Sequence, residues 1–94
     1  TQAEAELGRT TGEYYWGAIW TRPGLDVTSR CLCTMTCLAT LGRHSPLRGH
    51  IRGALNIGLT KDQVIEVFGH MTLYAGIPFA REAMDIANEI FTSA

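Results

Sequence analysis

The chain has 94 residues, of which 46% are hydrophobic and only 18% charged, and its formal net charge at pH 7 is −1. This balance lacks the basic excess of nucleic-acid-binding proteins, and no apolar run approaches the roughly 20 residues that span a bilayer. The length predicts a single domain covering residues 1–94, and the apolar excess predicts that further copies of the chain cover part of its surface. We therefore expect a cytoplasmic homo-oligomer that binds neither nucleic acid nor membrane.

Residues 1–12 are polar and predict a loosely ordered lead-in or a frayed helix. The next eight residues, EYYWGAIW, predict a short helix whose aromatic side chains belong mostly to the core, with Trp20 as the one nearest a pocket. Pro23 and Gly24 then predict a turn. The chain starts on Thr1 rather than methionine, which leaves open that a segment precedes it.

A second helix is predicted over residues 27–41, with Asp26 as its N-cap and Gly42 at its end. Its sequence leaves almost no polar face, so we expect the helix to be central and buried. Arg30 is the one charged residue inside it. A cation in such surroundings requires either a carboxylate of the fold or an anionic ligand, and the sequence does not decide between them.

The three cysteines, Cys31, Cys33 and Cys37, all lie in this helix. An odd, clustered set does not form a disulfide framework and is typical of a reducing compartment. Neither C-x-x-C nor H-E-x-x-H occurs, so the spacing predicts no metal site. The apolar surroundings favour buried, unreactive thiols over reactive ones.

Residues 43–58 carry the first candidate for chemistry, His50. Ser45 as N-cap and Pro46 at the first helical position predict a helix that Gly58 closes in a left-handed conformation. One apolar stripe follows at helical spacing: Leu47, Ile51, Ala54 and Leu55. His50 lies beside this stripe, flanked by two arginines, where it is either a histidine at the rim of a solvated basic face or a proton-transfer group.

Two further helices are predicted. Residues 60–63 (TKDQ) form a capping box that opens a helix to Ala75, with a core stripe of Val64, Val67, Phe68 and Met71. Within it, His70 follows Glu66 by four residues, which suits either proton transfer or a surface ion pair. Pro78 starts the last helix, to about Phe91, with Phe79, Ala83, Ala87, Ile90 and Phe91 inward and Arg81, Glu82, Asp85 and Glu89 toward water. No segment alternates like a strand, so the predicted class is all-α.

Five motifs in order suggest a family: WGAIWTRPGLD (16–26), Arg30, LGR (41–43), HIRGALNIG (50–58) and YAGIP (74–78). Together they resemble the carboxymuconolactone decarboxylase family, and specifically its γ-carboxymuconolactone decarboxylase branch. The resemblance runs from about Tyr14 to Phe91. It implies an AhpD-like all-helical subunit built around a helical hairpin, which assembles into a homo-oligomeric ring, a trimer or more commonly a hexamer.

The resemblance also implies the chemistry, a cofactor-free decarboxylation of a carboxylated unsaturated γ-lactone. Such a site needs a cation for the carboxylate, donors for the enolate oxygen and an acid for the carbon. We assign His50 as general acid or base and His70 as a second polar group at the carbonyl. Substrate-binding roles go to four residues: Arg30 and Arg22 for the carboxylate, and Trp20 and Tyr74 as walls.

Two alternatives stay open. Alkylhydroperoxidase-like proteins of the same superfamily use an E-x-x-C-x-x-C-x-x-x-H motif, of which only the histidine has a counterpart here, at His50, and the three cysteines lie upstream and out of register. A thiol-dependent reductase would therefore have to use Cys33 and Cys37 instead. The unusual cysteine-rich helix also leaves open a catalytically diverged accessory protein of a biosynthetic pathway.

Overall fold

The computed structural model describes residues 1–93, and in this part of the chain it contains helices and no strands. The elements are α1 (Gln2–Thr11), a π-helix (Gly12–Ile19), α2 (Val27–Thr40), α3 (His44–Asn56), α4 (Lys61–Ala75) and α5 (Ile77–Thr92). The predicted all-α class is confirmed for the described residues. None of these helices combines the length and apolarity that crossing a membrane requires.

The chain divides into two compact units, Thr1–Arg30 and a second that begins at Cys31. In the first unit, the Thr1 side chain caps α1 by accepting a hydrogen bond from the Glu4 N–H at 3.1 Å. The predicted lead-in is therefore a helix, although it buries no residue. The predicted helix after it has π geometry, with the Trp20 N–H donating to the Tyr15 carbonyl, five residues back, at 2.8 Å.

The prediction that most aromatic side chains of this region form core is wrong for the single chain. Tyr14, Tyr15 and Trp16 are each more than half exposed, at 58%, 52% and 54%. A π-helix with no buried residue offers these rings no core. They pack on one another instead: the rings of Trp16 and Trp20 lie 5.0 Å apart, and those of Tyr14 and Tyr15 lie 5.4 Å apart, edge to face.

The start and end of α2 follow the prediction closely. The Asp26 carboxylate accepts a hydrogen bond from the Ser29 N–H at 2.6 Å, and this bond lowers the pKa of Asp26. At the other end Gly42 has φ +69°, and the N–H groups of Gly42 and Arg43 bond back to the Ala39 and Leu38 carbonyls. This pair of bonds is a Schellman motif, which requires a left-handed residue where glycine stands.

The prediction that α2 is buried on nearly all sides is wrong for the single chain. Its buried residues are Cys31, Met35 and Ala39, spaced four apart on one stripe. Cys33 and Cys37 are exposed free thiols. Apolar composition predicts burial but does not say which face of the helix is covered, and the single chain covers only one face.

Helix α3 begins two residues before the predicted start. Its first residue is His44 and its N-cap is Arg43, so Ser45 and Pro46 lie inside the first turn. The prediction of Ser45 as N-cap is wrong, because the Schellman motif at Gly42 already brings Arg43 to the helix start. The stripe is confirmed for Leu47, Ile51 and Ala54, which are 0% exposed, whereas Leu55 is only partly buried. A second Schellman motif closes the helix around Gly58, at φ +107°.

Helix α4 has the predicted bounds and the predicted capping box. The Gln63 N–H donates to Thr60 Oγ1 at 3.0 Å, and the Thr60 N–H donates to Gln63 Oε1 at 2.8 Å. In α5, which also packs against α3 and most extensively against α4, the prediction of Phe79 as core is wrong: it is 40% exposed, and Ala80 and Ile86 are buried instead. Together these helices supply most of the core of the second unit: Leu47, Ile51, Ala54, Val64, Phe68, Met71, Ala80, Ala83, Ile86, Ala87 and Ile90.

The capping box predicts a measurable stability effect. Replacing Thr60 with alanine leaves the Gln63 N–H without its acceptor, so the free energy of unfolding should fall by about 1 kcal/mol. Urea denaturation followed by circular dichroism at fixed protein concentration measures the change. The matched control is Thr40→Ala at the exposed last position of α2, where we expect a change within about 0.5 kcal/mol. Equal effects of the two substitutions would contradict the role of the box.

Candidate active site

His50 lies on α3 next to the fully buried Ile51, at the edge of the core of the second unit. Its side chain is half-buried, and this removal from water lowers the pKa of His50 below the ordinary histidine value of 6.5. Burial acts in this direction because the charged imidazolium loses more hydration than the neutral ring. At neutral pH the ring is therefore neutral, with one nitrogen that donates a hydrogen bond and one that accepts. His50 is thus partly buried, unlike a histidine on a fully solvated helix face.

Two contacts between side chains join α3 to α5 in the residues before His50, one made by a histidine and one an ion pair of an arginine. Nε2 of His44 lies 3.1 Å from Oε2 of Glu82, and Nη2 of Arg48 lies 2.7 Å from Oε2 of Glu89. Both glutamates were expected simply to face water, and the pairing had no local signal because the partners lie on helices far apart in sequence. Exposed pairs of this kind contribute about 0–1 kcal/mol each, so the position of α3 depends mainly on its buried stripe.

His70 and Tyr74 are brought together on α4, with ring centroids 5.5 Å apart. The contact that the structure shows for the His70 ring is thus with Tyr74, one turn later, rather than with Glu66, one turn earlier. Both side chains face out of the single chain, and Tyr74 is 80% exposed. In the single chain this pair forms an accessible polar and aromatic surface.

Arg22 and Arg30 are brought together in the first unit. Nη2 of Arg30 donates to the Arg22 carbonyl at 3.1 Å, and its Nε donates to the Leu25 carbonyl at 3.3 Å. The Arg30 guanidinium therefore bonds to backbone carbonyls, which are partners that the sequence did not indicate. Arg22 is exposed, while Trp20 is half-buried and stacks on Trp16.

The thiols differ in their surroundings. Burial raises the pKa of Cys31, which keeps it protonated, whereas Cys33 and Cys37 are exposed one turn apart on α2. Within residues 1–93, no group of three or more histidine, cysteine or acidic side chains is arranged to hold a metal ion.

The sequence of this chain matches the model of the carboxymuconolactone decarboxylase family over residues 5–89. The match covers nearly the whole chain, and the protein belongs to this family. Among individual relatives, it is 45% identical over 78 residues to a 4-carboxymuconolactone decarboxylase of Acinetobacter baylyi. It is also 36% identical over 77 residues to a nitrosuccinic acid decarboxylase of Metarhizium robertsii, and 31% identical over 81 residues to an uncharacterised 15.0 kDa protein of Paracoccus denitrificans.

These alignments cover most of this chain but only part of each relative. They take in 83%, 82% and 84% of the chain, against 58%, 54% and 60% of the three relatives. The chain therefore spans a little over half the length of the proteins that it matches. Family membership follows directly from these matches, while the activity of the whole protein is a separate question.

The lowered pKa of His50 can be tested by its titration. We expect the Hε1 resonance of His50 to titrate below pH 6.5, in a proton–carbon correlation spectrum assigned by its loss in the His50→Gln variant. Because the unfolded chain takes up this proton at higher pH than the folded one, the histidine should reduce stability as pH falls from the ordinary range toward the folded-state pKa. The glutamine variant should lose less stability over that interval. A titration above 6.5 would contradict the burial effect.

Proposed function

We propose that this protein is a decarboxylase-type lyase that acts without a cofactor on a small anionic unsaturated γ-lactone resembling 4-carboxymuconolactone. Family membership and the 45% identical relative support the reaction class. The observation that carries the proposal is the setting of His50, half-buried and neutral at physiological pH on a helix whose neighbouring stripe is fully buried. A neutral imidazole has one nitrogen that can accept a proton and one that can donate, which suits proton transfer.

The chemistry sets what the side chains must do. Cleavage of the bond to the carboxylate releases CO₂ and leaves its electron pair on the ring, where it spreads onto the lactone carbonyl. Carbon must then gain one proton. Neutral His50 can take up a proton from water at its free nitrogen, and the imidazolium so formed can deliver a proton to that carbon and return to the neutral ring. A second donor such as His70 stabilises the enolate oxygen. The substrate supplies its own electron sink, so no added group is needed to hold the charge.

The names of the two decarboxylase relatives fit this view of the reaction. A carboxylated lactone and a nitro acid both carry a carboxylate on a carbon skeleton with an electron-withdrawing group that can take up the electron pair. The shared requirement is thus the anion and the electron sink rather than a particular ring. Arg22 and Arg30 are the proposed contributors to carboxylate recognition, with Trp20 and Tyr74 as apolar walls.

We further propose that the protein works as a homo-oligomer, in a ring of three or six copies. At the junction of α4 and α5 the single chain exposes three large apolar side chains, Leu73 at 77%, Tyr74 at 80% and Ile77 at 69%. Exposed clusters of this kind favour association, because water then no longer contacts their surface. A second copy over this junction would also cover His70, which lies beside Tyr74.

A second candidate function has one specific observation in its favour. The exposure of Cys33 and Cys37 gives solvent access to two thiols on one face of α2, as a thiol-dependent reductase would require. Against it, these thiols do not occupy the cysteine positions of the peroxidase motif. A catalytically diverged accessory protein remains the outcome if neither activity is found.

Removal of the imidazole should separate these possibilities. We expect His50→Ala to lower kcat for 4-carboxymuconolactone by about 10²-fold or more, since general acid–base groups typically contribute 10²–10⁴-fold. The loss of substrate absorbance measures the rate, and sizing with circular dichroism confirms that the variant keeps its assembly and helix content. The matched control is His44→Gln, which loses only an exposed ion pair and should keep most of the activity.

The same assay tests the thiols. The double variant Cys33→Ser/Cys37→Ser should decarboxylate as fast as the wild type. Full activity of His50→Ala would overturn the proposed role of His50. Hydroperoxide reduction by the wild type that disappears in the double variant would support the reductase instead.

The oligomer proposal is tested by mass. Light scattering on a sizing column should give three or six times the 10.3 kDa of one chain. Leu73→Asp should shift the protein toward the monomer, because burial of a carboxylate in an apolar interface is costly. Asn88→Asp adds the same charge at an exposed polar position of α5 and should leave the mass unchanged. A monomeric wild type would contradict the proposal.

A further inference from the structure

Residues 20–26 form the connector between the π-helix and α2, and Arg30 is bonded to this connector. Its guanidinium donates from Nη2 to the Arg22 carbonyl at 3.1 Å and from Nε to the Leu25 carbonyl at 3.3 Å. The two acceptors lie three residues apart, so one rigid planar group holds two points of the same loop. A lysine could not reproduce this, since its ammonium is a single point donor on a flexible stem.

Other bonds fix the connector from its two ends. The Thr21 hydroxyl donates to the Gly17 carbonyl at 2.8 Å, and the Arg22 N–H donates to the Ile19 carbonyl at 3.1 Å. At the far end Asp26 caps α2. The peptide groups on both sides of the Arg22 Cα are thus bonded, one through its N–H to the π-helix and one through its carbonyl to Arg30.

The side chains of Arg22 and Arg30 differ in how far their donors are already engaged. Arg30 is half-buried and directs two of its donors at carbonyl oxygens, whereas Arg22 is exposed. The Nε and Nη2 donors form one of the edges with which a guanidinium binds a carboxylate, and in Arg30 this edge is already directed at backbone carbonyls. An exposed arginine on a fixed backbone keeps its fork available for bidentate binding of an anion.

We propose that Arg30 is a positioning residue that acts on the anionic substrate through Arg22: it holds the Arg22 backbone in place, and the Arg22 guanidinium receives the substrate carboxylate. This inference rests on the proposed function for its substrate. The sequence assigned carboxylate binding to Arg22 and Arg30 alike; here Arg22 binds the carboxylate and Arg30 positions Arg22. A preorganised arginine binds an anion more tightly because less freedom is lost on binding.

A double-mutant cycle decides between a shared and a sequential role. We expect Arg22→Gln and Arg30→Gln each to raise KM for 4-carboxymuconolactone about tenfold, the effect of losing one charge-assisted hydrogen bond, with little change in kcat. The double variant should be no worse than Arg22→Gln alone, because Arg30 has nothing left to position. Additive losses, or an unchanged KM in Arg30→Gln, would overturn the proposal. Arg81→Gln, at an exposed position of α5, serves as the control.

The conservative substitution adds a second criterion. Arg30→Lys keeps the charge but loses the two-point bridge, so it should raise KM nearly as much as glutamine does. Recovery of the wild-type KM by lysine would show that Arg30 acts by charge alone, and it would overturn the positioning role.

A readout independent of turnover separates this inference from the proposed function. Both tryptophans of the chain, Trp16 and Trp20, lie at the N-terminal side of the connector. Loosening the connector in Arg30→Gln should therefore increase acrylamide quenching of tryptophan emission, and Arg81→Gln should not. An inactive wild type with this increase would refute the lactone substrate but support the connector's dependence on Arg30. Unchanged quenching would overturn the inference whatever the activity.

Discussion

The packing of α3 against α5 is the constraint on which the setting of His50 depends. Leu47, Ile51 and Ala54 are removed from water entirely, and their burial fixes the rotation of α3 about its axis. Once that rotation is set, the residue before Ile51 has to lie at the rim of the core, half in and half out. His44 and Arg48 add exposed contacts to Glu82 and Glu89 of α5. A partly desolvated imidazole is therefore a consequence of the apolar stripe beside it, and no separate device is needed to lower its pKa.

A different kind of constraint acts in the first unit, where no core exists to position side chains. The connector between the π-helix and α2 is instead fixed by hydrogen bonds. Thr21 and Arg22 donate to carbonyls of the π-helix, and Arg30 donates to the Arg22 and Leu25 carbonyls of the connector itself. A loop whose backbone is held by several hydrogen bonds has a fixed conformation, but this conformation depends on the few side chains that make the bonds. In the proposed function, carboxylate recognition would therefore depend on a few donors of the first unit, whereas the position of His50 depends on a whole core.

Local signals predicted the helices well and failed where the outcome depends on tertiary contacts. The capping box at Thr60, the N-cap at Asp26 and the glycines at 42 and 58 involve bonds within a few residues, so the sequence contains all of the information. The start of α3 was misplaced for a different reason, a competition between two local signals: the Schellman motif at Gly42 took precedence over the serine and proline. Burial of α2 was overestimated, since composition does not say which faces a neighbour covers. The bonds from Arg30 to carbonyls could not be foreseen, because loop conformation is not encoded in a periodic pattern.

The exposed surfaces connect the proposed reaction to the proposed assembly. Loss of CO₂ from a carboxylate is favoured when the anion is moved out of water, and the electrostatic donors that stabilise an enolate are far weaker in bulk solvent than in a closed site. His70 and Tyr74 are exposed to solvent in the single chain, near the same junction of α4 and α5 as the apolar side chains of Leu73 and Ile77. A neighbouring copy that buries the apolar pair would remove water from the polar pair as well. The free energy for removing water from the site would then come from association itself. A monomer would keep its folded core and its neutral His50, but its site would stay in water, where the reaction is slower.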